Sequence, residues 1–174
     1  MSFVIGVTLT SALSARFEKR TLMIVLSILN GLTMIAFFYI PADQFWLMVF
    51  FNCLGSFVIG PTPALVWSMY ADCADYGEWK SGRRTTALVF SSVQFAQKFG
   101  LAVGAGVAGL VLAWFGFVAN EVQTEQSMLG IRLMYSIVPG TLVILGAIAI
   151  FFYKIDRKMV AQIEADLAAG KIGG

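Results

Sequence analysis

The sequence predicts an all-α polytopic membrane protein, and three observations carry this prediction. Of its 174 residues, 59% are hydrophobic and only 13% are charged, with a mean hydropathy of +0.81. Soluble domains usually contain about 25% charged residues, because even a large core needs a polar surface. The apolar residues form long runs that match the roughly 20 helical residues needed to cross a bilayer. The charged residues lie in short segments between those runs.

Prolines and polar segments divide the chain into predicted transmembrane helices. Residues 1–15 predict the second half of a spanning helix, because this apolar run is short and starts directly at Met1. The predicted complete transmembrane helices are 21–40, 45–71, 87–115 and 130–153. Pro61 and Pro63 predict a kink in the second of them. Residues 72–86 predict a charged loop, and 154–174 an amphipathic tail that ends rich in glycine.

The basic residues predict the orientation of the spans. Ten of the twelve Lys and Arg residues lie in three segments, 16–20, 72–86 and 154–174. The two intervening connectors, 41–44 and 116–129, contain none. Because loops rich in Lys and Arg stay in the cytoplasm, the three basic segments and the C-terminus are predicted to be cytoplasmic.

Lys98 is the most informative polar residue of the sequence. It lies 11 residues past Ala87, or about 16 Å along a helix, which is near the bilayer midplane. A charge at that depth costs at least about 2.5–3.5 kcal/mol on insertion scales. Lys98 is therefore a candidate to face a water-filled cavity and contact a polar ligand or a carboxylate. The alternative is a lysine that snorkels to the interface.

Two other residues are candidates for contacting a ligand beside Lys98. Gln94 lies one turn before it on the same helical face, and amides along a stripe suit a polyhydroxylated ligand such as a sugar. Hydrogen bonding between helices is the alternative role of Gln94. Trp67 can stack on a sugar face, or it can anchor its helix at the membrane interface.

Residue types exclude some functions and leave two alternatives open. The absence of His excludes catalysis by a Ser-His or Cys-His pair, and no metal site or cofactor is predicted. Asp72 and Asp75 have a spacing that can bind a metal in membrane prenyl-transfer enzymes, which makes a metal-dependent membrane enzyme one alternative. Helix capping and salt bridges with Lys80, Arg83 or Arg84 are other roles for these carboxylates.

A face of small residues suggests the other alternative, a membrane protein that binds partner helices without transporting anything. This face contains Gly100, Gly104, Gly106 and Gly109. Gly100 and Gly104 have the four-residue spacing that lets two membrane helices approach closely.

Several motifs together resemble one transporter family. Residues 71–84 read ADCADYGEWKSGRR, and Lys98-Phe99-Gly100, Gly116-Phe117 and Gly130-Ile131 follow. This series resembles the glycoside–pentoside–hexuronide:cation symporters, a branch of the major facilitator superfamily that includes the melibiose permease. The resemblance covers roughly residues 60–140. It implies a partial major facilitator fold, comprising about helices 8 to 12 of twelve, and sugar transport by alternating access rather than catalysis.

The resemblance also implies roles for individual residues. Lys98 matches a lysine of the eleventh helix at the sugar and cation pathway, and Gln94 falls where a sugar-site residue is expected. The Asp75-Tyr76-Gly77 segment looks like the cytoplasmic loop between helices ten and eleven. In this interpretation, a cytoplasmic gate is formed by Asp72, Asp75, Tyr76, Arg83 and Arg84.

The implied partners are a sugar and the lipid bilayer, with no nucleic acid. The implied location is the bacterial plasma (inner) membrane. The coupling cation expected for the family is Na⁺ or H⁺, and its site lies in the N-terminal half, which this sequence does not contain. We therefore expect a fragment, a truncated reading frame or one piece of a split gene that works with the missing N-terminal half.

Overall fold

The computed structural model describes residues 6–8, 14, 16–41 and 43–171, and this part of the chain is helical without strands. The all-α polytopic prediction is confirmed. The helices are α1 (Lys19–Phe37), α2 (Phe45–Ile59), α3 (Thr62–Ser81), α4 (Thr86–Trp114), α5 (Glu125–Tyr135), α6 (Ile137–Ile150) and α7 (Arg157–Ala168). Within these described residues, four segments are long and apolar enough to cross a membrane: Lys19–Phe37, Phe45–Ser81, Thr86–Trp114 and Glu125–Ile150. Most of the predicted half-helix 1–15 lies outside the described residues.

Helices α1 and α6 form the most extensive helix–helix contact of the described chain. Glycines make it possible, because a Cβ on Gly31 would lie 2.8 Å from the carbonyl oxygen of Gly140. A Cβ on Gly140 would likewise lie 2.9 Å from the carbonyl oxygen of Gly31. The two backbones therefore approach more closely than side chains would permit, as is common where membrane helices pack through small residues.

The second long segment is broken where its prolines predict. Helix α2 ends at Ile59, and α3 starts at Thr62 with Pro63 in its first turn, where a missing backbone N–H costs nothing. Gly6, in the first described residues, packs here, since a Cβ on it would lie 2.4 Å from the carbonyl oxygen of Phe57. The break therefore coincides with a close approach of another part of the chain.

The predicted charged loop 72–86 is wrong for most of its length, and so is the end of the predicted helix at residue 71. Helix α3 continues through Ser81, and Gly82 ends it in the left-handed conformation (φ 65°) with its N–H bonded to Glu78 O. Phe45–Ser81 contains 37 residues, which exceeds what a bilayer core of about 30 Å requires. The polar end of α3 can thus remain helical while it extends beyond the apolar region.

The last span is also broken and begins earlier than predicted. Helix α5 starts at Glu125, inside the predicted connector 116–129, where the Thr124 side chain accepts a hydrogen bond from Ser127 N. Helix α6 starts at Ile137, two residues before Pro139. Proline lacks the N–H that would bond to the carbonyl four residues earlier, which explains a break at this position.

Helix α4 is the longest helix of the described chain, and none of its 29 residues is buried. Helix α2 likewise buries none of its residues. Helix α4 contacts α3 and α5. Along its middle, a Cβ added to Gly100, Gly104, Gly106 or Gly109 would meet nothing within 4 Å. The face of small residues recognised in the sequence is therefore open in this structure.

Candidate functional site

Asp72 lies at the centre of a polar cluster where α1, α3 and the segment after α6 meet. Its two carboxylate oxygens accept hydrogen bonds of 2.9 and 2.8 Å from Lys19 Nζ. Asp72 is 8% exposed, whereas the Lys19 side chain is 34% exposed. The cluster sits against apolar residues of α1 and α3, namely Leu22, Met23, Leu65 and Met69. The ion pair therefore ties the first residues of α1 to the last part of α3.

Tyr153, in the turn after α6, completes this cluster. Its hydroxyl donates a hydrogen bond of 3.2 Å to Asp72 Oδ2. Burial, with the negative charge of Asp72, raises the pKa of Tyr153, so the hydroxyl keeps its proton and remains a donor. Nearby, Arg20 donates to Phe151 O at 2.6 Å and lies 5.3 Å from the centre of the Phe151 ring.

The predicted partners of Asp72 are wrong. Arg83 and Arg84 are exposed, and Lys19–Asp72 is the ion pair recorded for the described part of the chain. Lys80 instead lies over the Tyr76 ring, 5.9 Å from its centre. The cause is helical geometry, because α3 continues past Asp72 and carries Lys80 more than two turns away along the same helix.

Helix α7 packs on the end of α3. Trp79 Nε1 donates a hydrogen bond of 3.1 Å to Asp166 Oδ2, and Ile163 of α7 is 2% exposed. Asp75 lies beside α7, in a narrow crevice that Ile163 also lines. These contacts place the three basic segments of the sequence together at one end of the molecule, called here the basic end.

The possibility of a metal site at Asp72 and Asp75 finds no support in this geometry. Across the described residues, no group of three or more His, Cys, Asp and Glu residues is placed to hold a metal ion. Both oxygens of Asp72 already accept from Lys19, so a cation would have to displace that lysine.

Lys98 and Gln94 are exposed on α4, far from the basic-end cluster. Lys98 lies 12 residues after Thr86, the first residue of α4, or about 18 Å along the helix. Within the described residues, Lys98 has no recorded hydrogen bond, ion pair or ring contact. Lys98 is thus a charge in the middle of an apolar helix without a partner in this part of the chain.

Trp67 lies in α3 and faces α4. Its ring stacks on Phe90 of α4, with centres 5.9 Å apart and planes 14° apart, and it touches Tyr70 edge-on. The indole is 41% exposed, so one side remains accessible. The structure therefore shows a packing role for Trp67 between α3 and α4, and it leaves sugar contact as a prediction.

Sequence reasoning missed Lys19 and Tyr153 as partners of Asp72. In the sequence, Lys19 is one basic residue of the predicted loop 16–20, and Tyr153 is the last residue of the predicted span 130–153. The signal that could have found them is the orientation pattern itself, because it assigns residues 16–20, 72–86 and 154–174 to the same side. It gives no distances, so it could not select these particular residues.

Comparisons with known proteins identify the relatives of this chain. The chain is 43% identical over 108 residues to the isoprimeverose transporter of Lactiplantibacillus pentosus, covering 60% of this chain and 22% of that protein. It is 32% identical over 168 residues to the putative glycoside/cation symporter YagG of Escherichia coli, covering 96% of this chain and 36% of that protein. It is 31% identical over 172 residues to a putative sulfoquinovose importer of Salmonella typhimurium, covering 98% and 36%.

The chain spans between 22% and 36% of the length of these three relatives. No solved structure matches it. The model of the family described as MFS/sugar transport protein matches residues 1–157, nearly the whole chain. The matched range includes residues 71–84 and Lys98, and the match agrees with the all-helical fold. The chain belongs to the MFS/sugar transport protein family, within the major facilitator superfamily of transporters.

Proposed function

We propose that this chain forms part of a sugar:cation symporter that works by alternating access in the bacterial inner membrane, with its C-terminus in the cytoplasm. Lys98, with Gln94 and Trp67, contributes to the sugar pathway. The relatives' names support a sugar or glycoside as the substrate and, for YagG, a cation as the coupled ion. The remaining part of a transporter of the relatives' length supplies the other side of the pathway and the site for Na⁺ or H⁺.

The position of Lys98 is the observation that carries this proposal. A lysine halfway along an apolar helix is costly when it faces lipid, and such residues usually face a cavity or a partner group. Helix α4 buries none of its residues within the described chain, so the face bearing Lys98 is available to line a pathway. Gln94, one turn away, adds an amide to the same stripe.

The basic end supplies the second part of the proposed mechanism, a cytoplasmic gate. Asp72, held by Lys19 and Tyr153, ties α3 to α1 and to the segment after α6, and Trp79 bonds the end of α3 to Asp166 of α7. Asp75 and Tyr76 follow on the same helix, and Arg83 and Arg84 extend from the short connector before α4. In our proposal, the exposed arginines form ion pairs with the rest of the transporter when the cytoplasmic side closes.

The test is uptake of a radiolabelled glycoside by cells that express a transporter of the relatives' length containing this sequence. We expect Lys98→Ala to lower uptake about tenfold or more, because hydrogen bonds to charged groups contribute about 1.5–3 kcal/mol. Gln97→Ala is the matched control, since Gln97 lies beside Lys98 on α4 but points away from the stripe. It should transport normally.

Uptake that is unchanged by Lys98→Ala, at equal amounts of protein in the membrane, would contradict the assignment of the pathway to this face. Measuring uptake with and without a Na⁺ gradient, and then with a pH gradient alone, identifies the coupling ion.

A membrane protein that only binds other helices remains a second candidate function. The open face around Gly104 is the observation that favours it, because small residues there leave room for the backbone of another helix. This candidate predicts a stable complex without uptake. A chain that remains monomeric in mild detergent, with no co-purifying protein, would contradict it.

A further inference from the structure

A cavity of about 80 Å³ lies at the basic end, between the start of α1 and the residues where the chain enters α7. It leaves room for about five heavy atoms, because a single water needs about 10–15 Å³. Four basic side chains line it, two from each of these segments: Lys19, Arg20, Lys154 and Arg157. Positive charge concentrated around a small space raises the local concentration of anions.

Three carboxylates also line the cavity, and two of them already have partners. Asp72 is paired with Lys19, as described above. Asp156 caps α7, since its Oδ1 accepts a hydrogen bond of 2.7 Å from Met159 N. The third carboxylate, Glu18, is exposed just before α1. Asp72 and Asp156 therefore repel an entering anion less than two free carboxylates would.

The charge around the cavity remains positive when all of these groups are counted. Four basic and three acidic side chains give the lining a net charge of +1. Arg16 and Lys158 are exposed within two residues of the lining and raise the net charge to +3. An anion with one charge, such as a phosphodiester, would therefore be attracted, and a cation would be repelled.

Hydrogen-bond donors remain for the oxygen atoms of such an anion. Lys154 is exposed, and within the described residues its ammonium group has no recorded hydrogen bond, ion pair or ring contact. The Arg20 guanidinium uses one of its five N–H groups for Phe151 O. Both side chains can therefore donate charge-assisted hydrogen bonds, which are shorter and stronger than bonds between neutral groups.

The position of the cavity indicates which anion is available to it. It is formed where the span Lys19–Phe37 begins, and from residues that follow the end of the span Glu125–Ile150. Three exposed phenylalanines flank its lining residues in the sequence, namely Phe17, Phe151 and Phe152. Apolar spans end at the depth of the lipid headgroups, and basic pockets between membrane helices bind anionic headgroups there.

Other occupants would use only some of these features. A bound water needs no net positive charge, because neutral donors and acceptors satisfy it. A soluble anion, or a carboxylate from the rest of a transporter, would use the charge but leave the phenylalanines without a contact. An anionic lipid uses both the charge and the apolar surface.

We propose that this cavity binds the phosphate of an anionic phospholipid such as phosphatidylglycerol, with the acyl chains against Phe17, Phe151 and Phe152. The lipid joins the start of α1 to the start of α7, because its phosphate accepts from Arg20 and from Lys154. The inference concerns a partner of this chain, and it does not depend on the transport of a sugar.

The experiment counts the lipids bound to the full 174-residue chain by native mass spectrometry in a nonionic detergent. The chain is titrated with phosphatidylglycerol, with phosphatidylcholine of the same acyl chains, and with sodium phosphate. We expect one phosphatidylglycerol molecule to bind saturably, at least ten times more tightly than either of the others. Phosphatidylcholine controls for the acyl chains, because choline cancels the charge of its phosphate, and sodium phosphate controls for the charge without chains.

Variants then locate the bound lipid. Lys154→Gln should weaken phosphatidylglycerol binding about fivefold, the contribution of one basic residue near an anionic membrane surface. Lys154→Arg retains the charge and should keep the wild-type affinity. Arg20→Gln combined with Lys154→Gln should weaken binding at least tenfold. Lys171→Gln is the matched control, since it makes the same change in the same tail, 14 residues past Arg157 and outside the cavity.

The thermal midpoint without lipid separates binding from folding. Lys154→Gln should leave this midpoint unchanged, because Lys154 has no recorded contact within the described residues. A midpoint lowered in Lys154→Gln, with wild-type lipid affinity, would assign Lys154 to the packing of the chain and contradict the proposal.

Other results would also overturn the proposal. They are equal binding of the two lipids, wild-type affinity in the double variant, and no lipid binding by the wild-type chain. Sodium phosphate that binds as tightly as phosphatidylglycerol would assign the cavity to a soluble anion. The same titration on a transporter of the relatives' length should again show one bound phosphatidylglycerol that Lys154→Gln weakens. Loss of that site in the longer protein would mean that another part of the transporter fills the cavity.

Discussion

The basic end and α4 consist of similar apolar helices, yet polar side chains are paired with one another at the basic end and, within the described residues, are unpaired at Lys98 and Gln94 of α4. At the basic end, Asp72, Lys19 and Tyr153 satisfy one another across three segments of the chain. On α4, Lys98 and Gln94 are exposed and make no recorded polar contact within the described residues. Apolar side chains gain little from mutual burial inside a bilayer, so exposure alone does not mark α4 as unusual.

This difference indicates that one region of the chain holds its helices together, whereas the other leaves polar groups free for contacts. Polar groups that are paired inside the chain hold helices together. Polar groups left unpaired in a membrane helix are costly unless something outside the described chain contacts them. In our proposal, the basic end holds the helices together, while α4 presents its polar stripe to a ligand or to another part of a transporter.

The largest expected difference comes from placing a leucine in a closely packed helix, α1, and in an open helix, α4. Gly31→Leu should lower the free energy of unfolding by about 3 kcal/mol, because its Cβ would lie 2.8 Å from the Gly140 backbone oxygen. Gly104→Leu should change stability by less than about 0.5 kcal/mol, since nothing lies within 4 Å of its Cβ. Helix content followed during SDS unfolding measures both. Equal losses would show that α4 is packed as tightly as α1.

Breaking the ion pair should have an intermediate effect. Asp72→Ala leaves Lys19 without a partner, and we expect a loss of about 1–2 kcal/mol, reduced by the partial exposure of the lysine. The same unfolding assay measures it, with Asp43→Ala as the control because Asp43 is exposed at the opposite end. Combining Asp72→Leu with Lys19→Met should recover most of the loss. A double variant as unstable as Asp72→Ala would contradict the pairing.

The smallest effect is expected where α7 meets α3. Trp79→Phe replaces the indole with a smaller aromatic ring and removes the hydrogen bond to Asp166, and loss of that bond should cost about 1 kcal/mol. Amide hydrogen exchange in α7 should rise about fivefold, while exchange in α4 stays unchanged. Trp114→Phe, on the exposed end of α4, is the control. Unchanged exchange in α7 would mean that its apolar face, not Trp79, holds it.

The sequence predicts apolar helices because their signal is local. Long apolar runs and the prolines at 61 and 63 gave the helices and the break between α2 and α3. The polarity of residues 72–81 predicts a loop, although Ala, Glu and Lys favour helices. Polarity indicates that a segment leaves the apolar region of a membrane, and it says nothing about whether the helix ends there. Gly82 was the better signal for that end.

The pairing of side chains could not be predicted, because it depends on contacts between distant parts of the chain. Lys19 and Asp72 are 53 residues apart, and Tyr153 lies 81 residues beyond Asp72. Asn30 shows the same limit, since only the packing of α1 on α2 reveals that its amide oxygen is buried. Lys98 could be singled out from sequence because its depth follows from counting residues along one helix.

The close approach of Gly31 and Gly140 has a consequence for biosynthesis. These residues are about 110 positions apart, and the ribosome adds about 5–20 residues per second. Helix α1 therefore waits about 5–20 s in the bilayer before its main partner α6 is made. During that interval Gly31 lacks the backbone of Gly140 against which it packs. Chains that stop before α6 would keep α1 in this state, and quality-control proteases would be expected to remove them.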